Sequence, residues 1–123
     1  MILSFKKQFI EKILSGSKIH TIRQDKNKRW SIGKKIHFAI GMRTKYYHCF
    51  HQGECRGLQE FSIYWRGNNI YPVAVYISRK ELNLDEIERL AKNDGFDTVD
   101  DFYKWFNEDF KGIIIHWTDF IYI

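Results

Sequence analysis

Proline occurs once, at Pro72, and cysteine twice, at Cys49 and Cys55, in 123 residues. A single proline and the absence of any repeat or low-complexity stretch leave no sign of a linker. The chain reads as one domain, residues 1–123, large enough to bury one core. Two cysteines are too few for a disulfide scaffold and fit a reducing, cytoplasmic setting. No run approaches the ~20 consecutive apolar residues of a membrane span. The opening Met1–Lys6 lacks a basic stretch followed by a long apolar run, so a signal peptide is not expected. Negative charge is scarce in the first half: residues 1–69 hold 14 Lys/Arg against 4 Asp/Glu, whereas residues 70–123 hold 6 against 11. Two sets of solvated surface charges would explain this, but the asymmetry modestly favours a basic face able to meet phosphates.

Rings are plentiful, with aromatics at 17% and hydrophobic residues at 44%. Phe5, Phe9, Ile10, Ile13 and Leu14 recur at helical spacing, and Gly16 stands where a left-handed cap ends such a helix. The spacing predicts a helix over about Lys6 to Ser15, then a short strand from Ile19 to Arg23 and a charged loop from Gln24 to Trp30. Lys35–Ile40, Lys45–Phe50, Leu58–Trp65 and Ile70–Ser78 carry the branched and aromatic residues of strands, with turns at Gln52-Gly53 and Gly67-Asn68-Asn69. Asn83 with Glu86 forms a capping box ahead of a helix that Asn93-Asp94-Gly95 stops. Thr98 with Asp101 opens another helix, which Gly112 is expected to end. Ile113–Tyr122 reads as a final strand buried on both faces. The outline is α+β: a small, partly closed, mostly antiparallel barrel flanked by helices.

The chemistry-bearing residues concentrate in Gly16-Ser17-Lys18-Ile19-His20-Thr21-Ile22-Arg23. A lysine three residues from a threonine hydroxyl forms a base–nucleophile pair if the two converge, and an arginine beyond them holds an anion or stacks on a base. Within a regular strand, residues three apart face opposite ways. Convergence therefore requires Lys18 to lie in the turn, with only Ile19 onward extended. By composition alone, a surface turn with a solvated arginine is the preferred reading.

The run Phe9–Arg23 resembles the N-terminal signature of the ASCH domain family, a helix followed by a Gly-x-Lys turn and an arginine-bearing strand. Ser31-Ile32-Gly33-Lys34-Lys35-Ile36 is similar to the family's next landmark. Leu90–Phe96 and Asp100–Phe106 are similar to a C-terminal block of its prokaryotic members. The resemblance implies a PUA-like fold. One branch of the family hydrolyses N(4)-acetylcytidine with a lysine, a threonine and a glutamate. The lysine and threonine fall on Lys18 and Thr21, and the acid on Asp94, one methylene shorter than the family's glutamate. On this reading Thr21 attacks the acetyl carbonyl, Lys18 takes its proton, and Asp94 shuttles a proton or orients the substrate. Burial and Arg23 would lower the Lys18 pKa from ~10.4, while a close Asp94 would raise it.

Gly16, Ser17, His20, Arg23, Trp30 and Trp65 complete the candidate substrate- or RNA-binding set, the tryptophans as stacking rings in basic, turn-rich segments. His48, Cys49, His51 and Cys55 lack a Cys-x-x-Cys knuckle and fit a hairpin tip, so neither a metal nor another cofactor is expected. Phe102, Trp105 and Phe106 are assigned to the core, and His116 is read as a hydrogen-bonded core histidine. Two functions compete. One is a small amidohydrolase of acylated pyrimidine nucleosides. The other is a module binding, or cleaving, single-stranded RNA in the same basic cleft, which the basic first half favours.

Overall fold

The structure, a computed structural model, describes residues 1–67, 71, 72 and 74–123. Its strands are β1 (Ile2–Ser4), β2 (His20–Arg23), β3 (Lys35–Ile40), β4 (His48–Glu54), β5 (Gly57–Tyr64), β6 (Ala74–Ile77), β7 (Lys80–Glu81) and β8 (Phe110–His116). The helices are α1 (Ile10–Ser15), α2 (Leu84–Asn93) and α3 (Val99–Trp105). The chain is α+β as expected. Its strands form two sheets, ordered β1-β3-β4 and β2-β8-β5-β6-β7, and these do not close into one ring. Only β1 against β3 is parallel among the described strands.

Alternation along β5 explains how the layers meet. Phe61 and Ile63 are buried on one face, with Ile114, Val75 and Ile77 from the neighbouring strands. The helices cover that face. Phe102 and Phe106 of the α3 region lie 6.2 and 5.5 Å from the Phe61 ring, and Phe96 reaches Phe9 at 5.6 Å. The smaller sheet joins the same core through Trp117, which meets Phe38 edge-on at 4.8 Å. Aromatic pairs of this kind contribute ~0.5–1.5 kcal/mol each beyond their buried area.

Several boundaries differ from expectation. The predicted Lys6–Ser15 helix begins as a 3₁₀ turn, Lys7–Phe9, because no side chain caps its free amides. Lys45–Tyr47 belong to a turn instead of a strand: Thr44 Oγ1 donates to the Gly41 carbonyl at 2.7 Å and accepts from the Tyr46 amide. Gln52 and Gly53 are mid-strand, and Gly53 is small because the Phe38 ring lies over it. Gly112 is likewise inside β8, with the Arg23 backbone close against it. The last strand ends at His116, where its partners β2 and β5 run out, and Arg56 holds the departing chain through Asp119 at 2.6 Å. The expected Gly67-Asn68-Asn69 turn and the start of the Ile70–Ser78 strand lie largely outside the described residues.

The turn after α2 fixes the position of Asp94. Asn83 and Glu86 form the expected capping box at the start of the helix. At its end the Phe96 amide donates to the Ala91 carbonyl, and the Gly95 amide to that of Lys92. This is a Schellman motif with Gly95 at φ +94. A Cβ on Gly95 would stand 3.0 Å from both Lys18 Cδ and Phe9 Cδ1. Gly95→Ala therefore meets both the left-handed strain and a crowded Lys18 stem. An expected loss of about 1–2 kcal/mol is read from the shift in the urea unfolding midpoint.

Candidate functional site

Lys18 lies in the turn after α1, and β2 begins only at His20. The condition for convergence is thus met. Gly16, at φ +85, ends α1; the Lys18 amide donates to the Lys12 carbonyl and the Ile19 amide to that of Asn93. These bonds carry the chain across the end of α2 before it joins the sheet. Lys18, Thr21, Arg23 and Asp94 all line one cavity of about 420 Å³, a size suited to a small ligand. It opens beside β2, the edge strand of the larger sheet.

The floor is polar and sealed. Lys18 is 2% exposed and Asp94 3%. Lys18 Nζ donates to the Asp94 backbone carbonyl and to its Oδ1 at 3.1 Å. The ammonium also lies 4.8 Å from the Phe9 ring centroid and 5.8 Å from that of Phe5. Burial in this apolar collar pushes the Lys18 pKa below its ordinary 10.5, outweighing the pull of Asp94 in the other direction. Arg23 stacks 5.0 Å from Phe5 and donates to the Ser4 carbonyl at 2.6 Å. Its Nε donates to Thr21 Oγ1 at 3.2 Å, which leaves the threonine's own hydrogen uncommitted. Lys18 Nζ is turned to Asp94 and not to Thr21, so a Lys18–Thr21 proton transfer requires the closer contact that bound substrate can bring.

Not every predicted site residue reaches this cavity. Gly16 and Ser17 are exposed on the outside of the turn, where Ser17 Oγ meets Ser15 Oγ at 3.2 Å. His20 points the other way along the strand and is fully buried, its Nδ1 on Asp94 Oδ1 at 3.1 Å and its Nε2 on the Tyr122 hydroxyl at 2.6 Å. Trp30 packs half-buried, its amide held by Asp25 Oδ2 at 3.0 Å. Trp65 gives its indole N–H to the Phe106 carbonyl at 2.9 Å and meets Tyr103 edge-on. None of these five lines the cavity.

Trp105, expected in the core from its helical spacing, is instead 44% exposed at the cavity wall, with Lys6 Nζ 5.2 Å from its ring. One turn of α3 already fills the interior with Phe102 and Phe106, and a third ring at i+3 must fall beside them. Phe5, Phe9 and Met42 also line the cavity. The first two had been read only as a helix face. Among the described residues no three His, Cys, Asp or Glu side chains are grouped so that they could hold a metal ion. His116 is buried as expected, with Nε2 on Gln59 Oε1 at 3.0 Å, but its Nδ1 has no partner.

Burial and the neighbouring His20 lower the His116 pKa from 6.5 to about 4. Between those values the unfolded chain binds a proton that the folded chain refuses, so stability falls as pH drops from 6.5 toward 4. In His116→Gln the amide nitrogen replaces Nε2 against Gln59. Urea unfolding at a series of pH values should show a shallower acid slope for that variant.

Lys18 gives a second window with the same sign. Its folded pKa lies below 10.5, so stability rises with pH from that lowered value up to 10.5, as the unfolded lysine sheds its extra proton. Lys18→Met should flatten this alkaline rise in the same titration. No family model, curated protein or solved structure matches this chain.

Proposed function

We propose that the cavity is the active site of a small amidohydrolase that removes the acyl group from an N(4)-acetylcytidine-type nucleoside. The observation that carries this reading is a buried lysine, depressed in pKa by its apolar collar, lining the same cavity as a threonine with an uncommitted hydroxyl hydrogen. A lysine of ordinary pKa is protonated at neutral pH and cannot accept a proton. Burial works against that obstacle by lowering the pKa. The Gly16-x-Lys18-x-x-Thr21-x-Arg23 order and its resemblance to the ASCH family support the same assignment. Within that reading the two sheets correspond to the opened barrel of a PUA-like domain.

The reaction follows from the positions. Thr21 Oγ attacks the acyl carbonyl carbon while its proton passes to Lys18 Nζ. The tetrahedral adduct collapses, the C–N bond breaks, and the Lys18 ammonium returns the proton to the departing exocyclic nitrogen. The acetyl-threonine ester is then hydrolysed by water, which Lys18 deprotonates, and Thr21 recovers its hydrogen. Arg23, 3.2 Å from Thr21 Oγ1, is the nearest positive charge for the developing oxyanion. Asp94 Oδ1 is held by two donors, whereas Oδ2 has no protein partner among the described residues and is not among the fully buried atoms left unpaired. Oδ2 is thus the acceptor for the substrate's N–H. The half-exposed Trp105 ring offers the base a stacking face.

Turnover of N(4)-acetylcytidine tests the proposal. Wild type should release cytidine and acetate, and Lys18→Ala and Thr21→Ala should each lose at least ~10²-fold in kcat. Absence of turnover by wild type overturns it. The second reading, single-stranded RNA binding without acyl chemistry, is favoured by a different observation. Gly41 and Met42 line the cavity, and the same turn carries Arg43, Lys45 and the exposed Tyr46 and Tyr47. That reading predicts affinity for an oligonucleotide that falls steeply with salt and persists in Thr21→Ala, measured by fluorescence anisotropy.

A further inference from the structure

We propose that the segment following β8 belongs to the site: Tyr122, acting through His20, sets the hydrogen-bonded state of Asp94 and is a positioning residue for the Lys18–Asp94 pair. The kinetic consequence rests on the hydrolase reading above; the hydrogen-bond state does not. Four groups form one line from the segment to the cavity. The Tyr122 hydroxyl meets His20 Nε2 at 2.6 Å, His20 Nδ1 meets Asp94 Oδ1 at 3.1 Å, and the same Oδ1 meets Lys18 Nζ at 3.1 Å.

The direction of each bond follows from donor counting. Asn93 Nδ2 donates to one lone pair of the Tyr122 oxygen at 3.0 Å, and the Asp94 carboxylate, which only accepts, takes its hydrogen from His20 Nδ1, so Nε2 of a neutral ring accepts the phenolic hydrogen. Burial keeps that phenol protonated by raising its pKa, and lowers that of His20 below 6.5, leaving the imidazole neutral. A neutral imidazole accepting at Nε2 carries its hydrogen at Nδ1 and donates it to Asp94. Tyr122 thereby joins Asp94 in holding the tautomer that free histidine in water populates less. Without the phenol, His20 is free to take the Nε2–H form, which aims a lone pair at the carboxylate. Asp94 would then rotate away from the position that Lys18 needs.

The segment is fixed for this task. Gln59 Nε2 donates to the Tyr122 carbonyl at 2.8 Å, and the Tyr122 amide donates to Gln59 Oε1 at 3.0 Å. The other polar groups around His20 are few. His116 of β8 packs 5.3 Å away ring to ring, and Asn93 and Asp94 stand at the end of α2. Lys18 precedes β2, and Arg89 of α2 lies over Phe120 at 4.8 Å.

Long-range ¹H–¹⁵N NMR of the imidazole nitrogens tests the assignment on the whole chain without any substrate. Wild type at neutral pH should show His20 protonated at Nδ1 and bare at Nε2. Tyr122→Phe, which keeps the ring and removes only the hydroxyl, should gain the Nε2–H form. An Nε2–H tautomer or an imidazolium in wild type overturns the proposal, as does an unchanged tautomer in Tyr122→Phe. In the acetylcytidine assay Tyr122→Phe should lose roughly tenfold or more in kcat with KM held. His20→Asn, whose amide nitrogen stands in for Nδ1–H, should retain more activity than His20→Ala. Full activity in both Tyr122→Phe and His20→Ala also sinks the positioning role. If wild type turns over no substrate, the hydrolase reading falls and the tautomer measurement still decides this one.

Discussion

One carboxylate oxygen holds the interior of this site together. Asp94 Oδ1 receives Lys18 from the turn before β2 and His20 from β2 itself, all three side chains being at most 4% exposed. Taking charges out of water costs several kcal/mol per ion, and a single ion pair seldom recovers that. Here the cost is spread over more partners: the Lys18 ammonium also bonds the Asp94 backbone carbonyl and rests against Phe9. The arrangement is therefore a poor source of stability and a good source of altered chemistry. It lowers the pKa of a buried amine, while the carboxylate keeps that amine in a single place.

Backbone capping does the positioning. The Schellman motif that ends α2 satisfies the carbonyls of Ala91 and Lys92 and, in the same turn, presents Asp94 inward. Gly16 performs the corresponding task at the end of α1, so that Lys18 enters between the two helix ends. The Ile19–Asn93 backbone bond ties those ends together. Two helix stops, each needing a glycine in left-handed conformation, thus meet where the chemistry sits. A site assembled at helix termini inherits their rigidity without needing long side chains to reach across a cleft.

Much of this was legible in the sequence because it is local. The Asn83/Glu86 box and the Gly16 and Gly95 stops follow from short-range rules, whereas the burial of Lys18 and Thr21 does not, since composition alone prefers a surface turn there. What escaped is non-local. Strand β1 is three residues long and pairs in parallel with a partner more than thirty residues away, so periodicity gives no signal for it. Gly53 and Gly112 look like turn residues but are small because a Phe38 ring and the Arg23 backbone press on them. Trp105 shares its helical spacing with core residues, and only the packing of Phe102 and Phe106 decides which ring is left outside. The role of His20 depends on Tyr122, about a hundred residues downstream, and no motif connects them.

The shorter acid also takes on a different meaning. The resemblance to the ASCH family sets Asp94 against a glutamate one methylene longer, which makes it a group with too little reach. In the folded chain, however, Lys18 and His20 come to Asp94, and its own backbone carbonyl shares the load. The short arm keeps Oδ1 as a fixed anchor and leaves Oδ2 without a protein partner among the described residues. That division suits an orienting carboxylate better than a mobile acid; on the hydrolase reading proposed above, proton transfer then falls to Lys18, the group whose pKa the apolar collar has lowered.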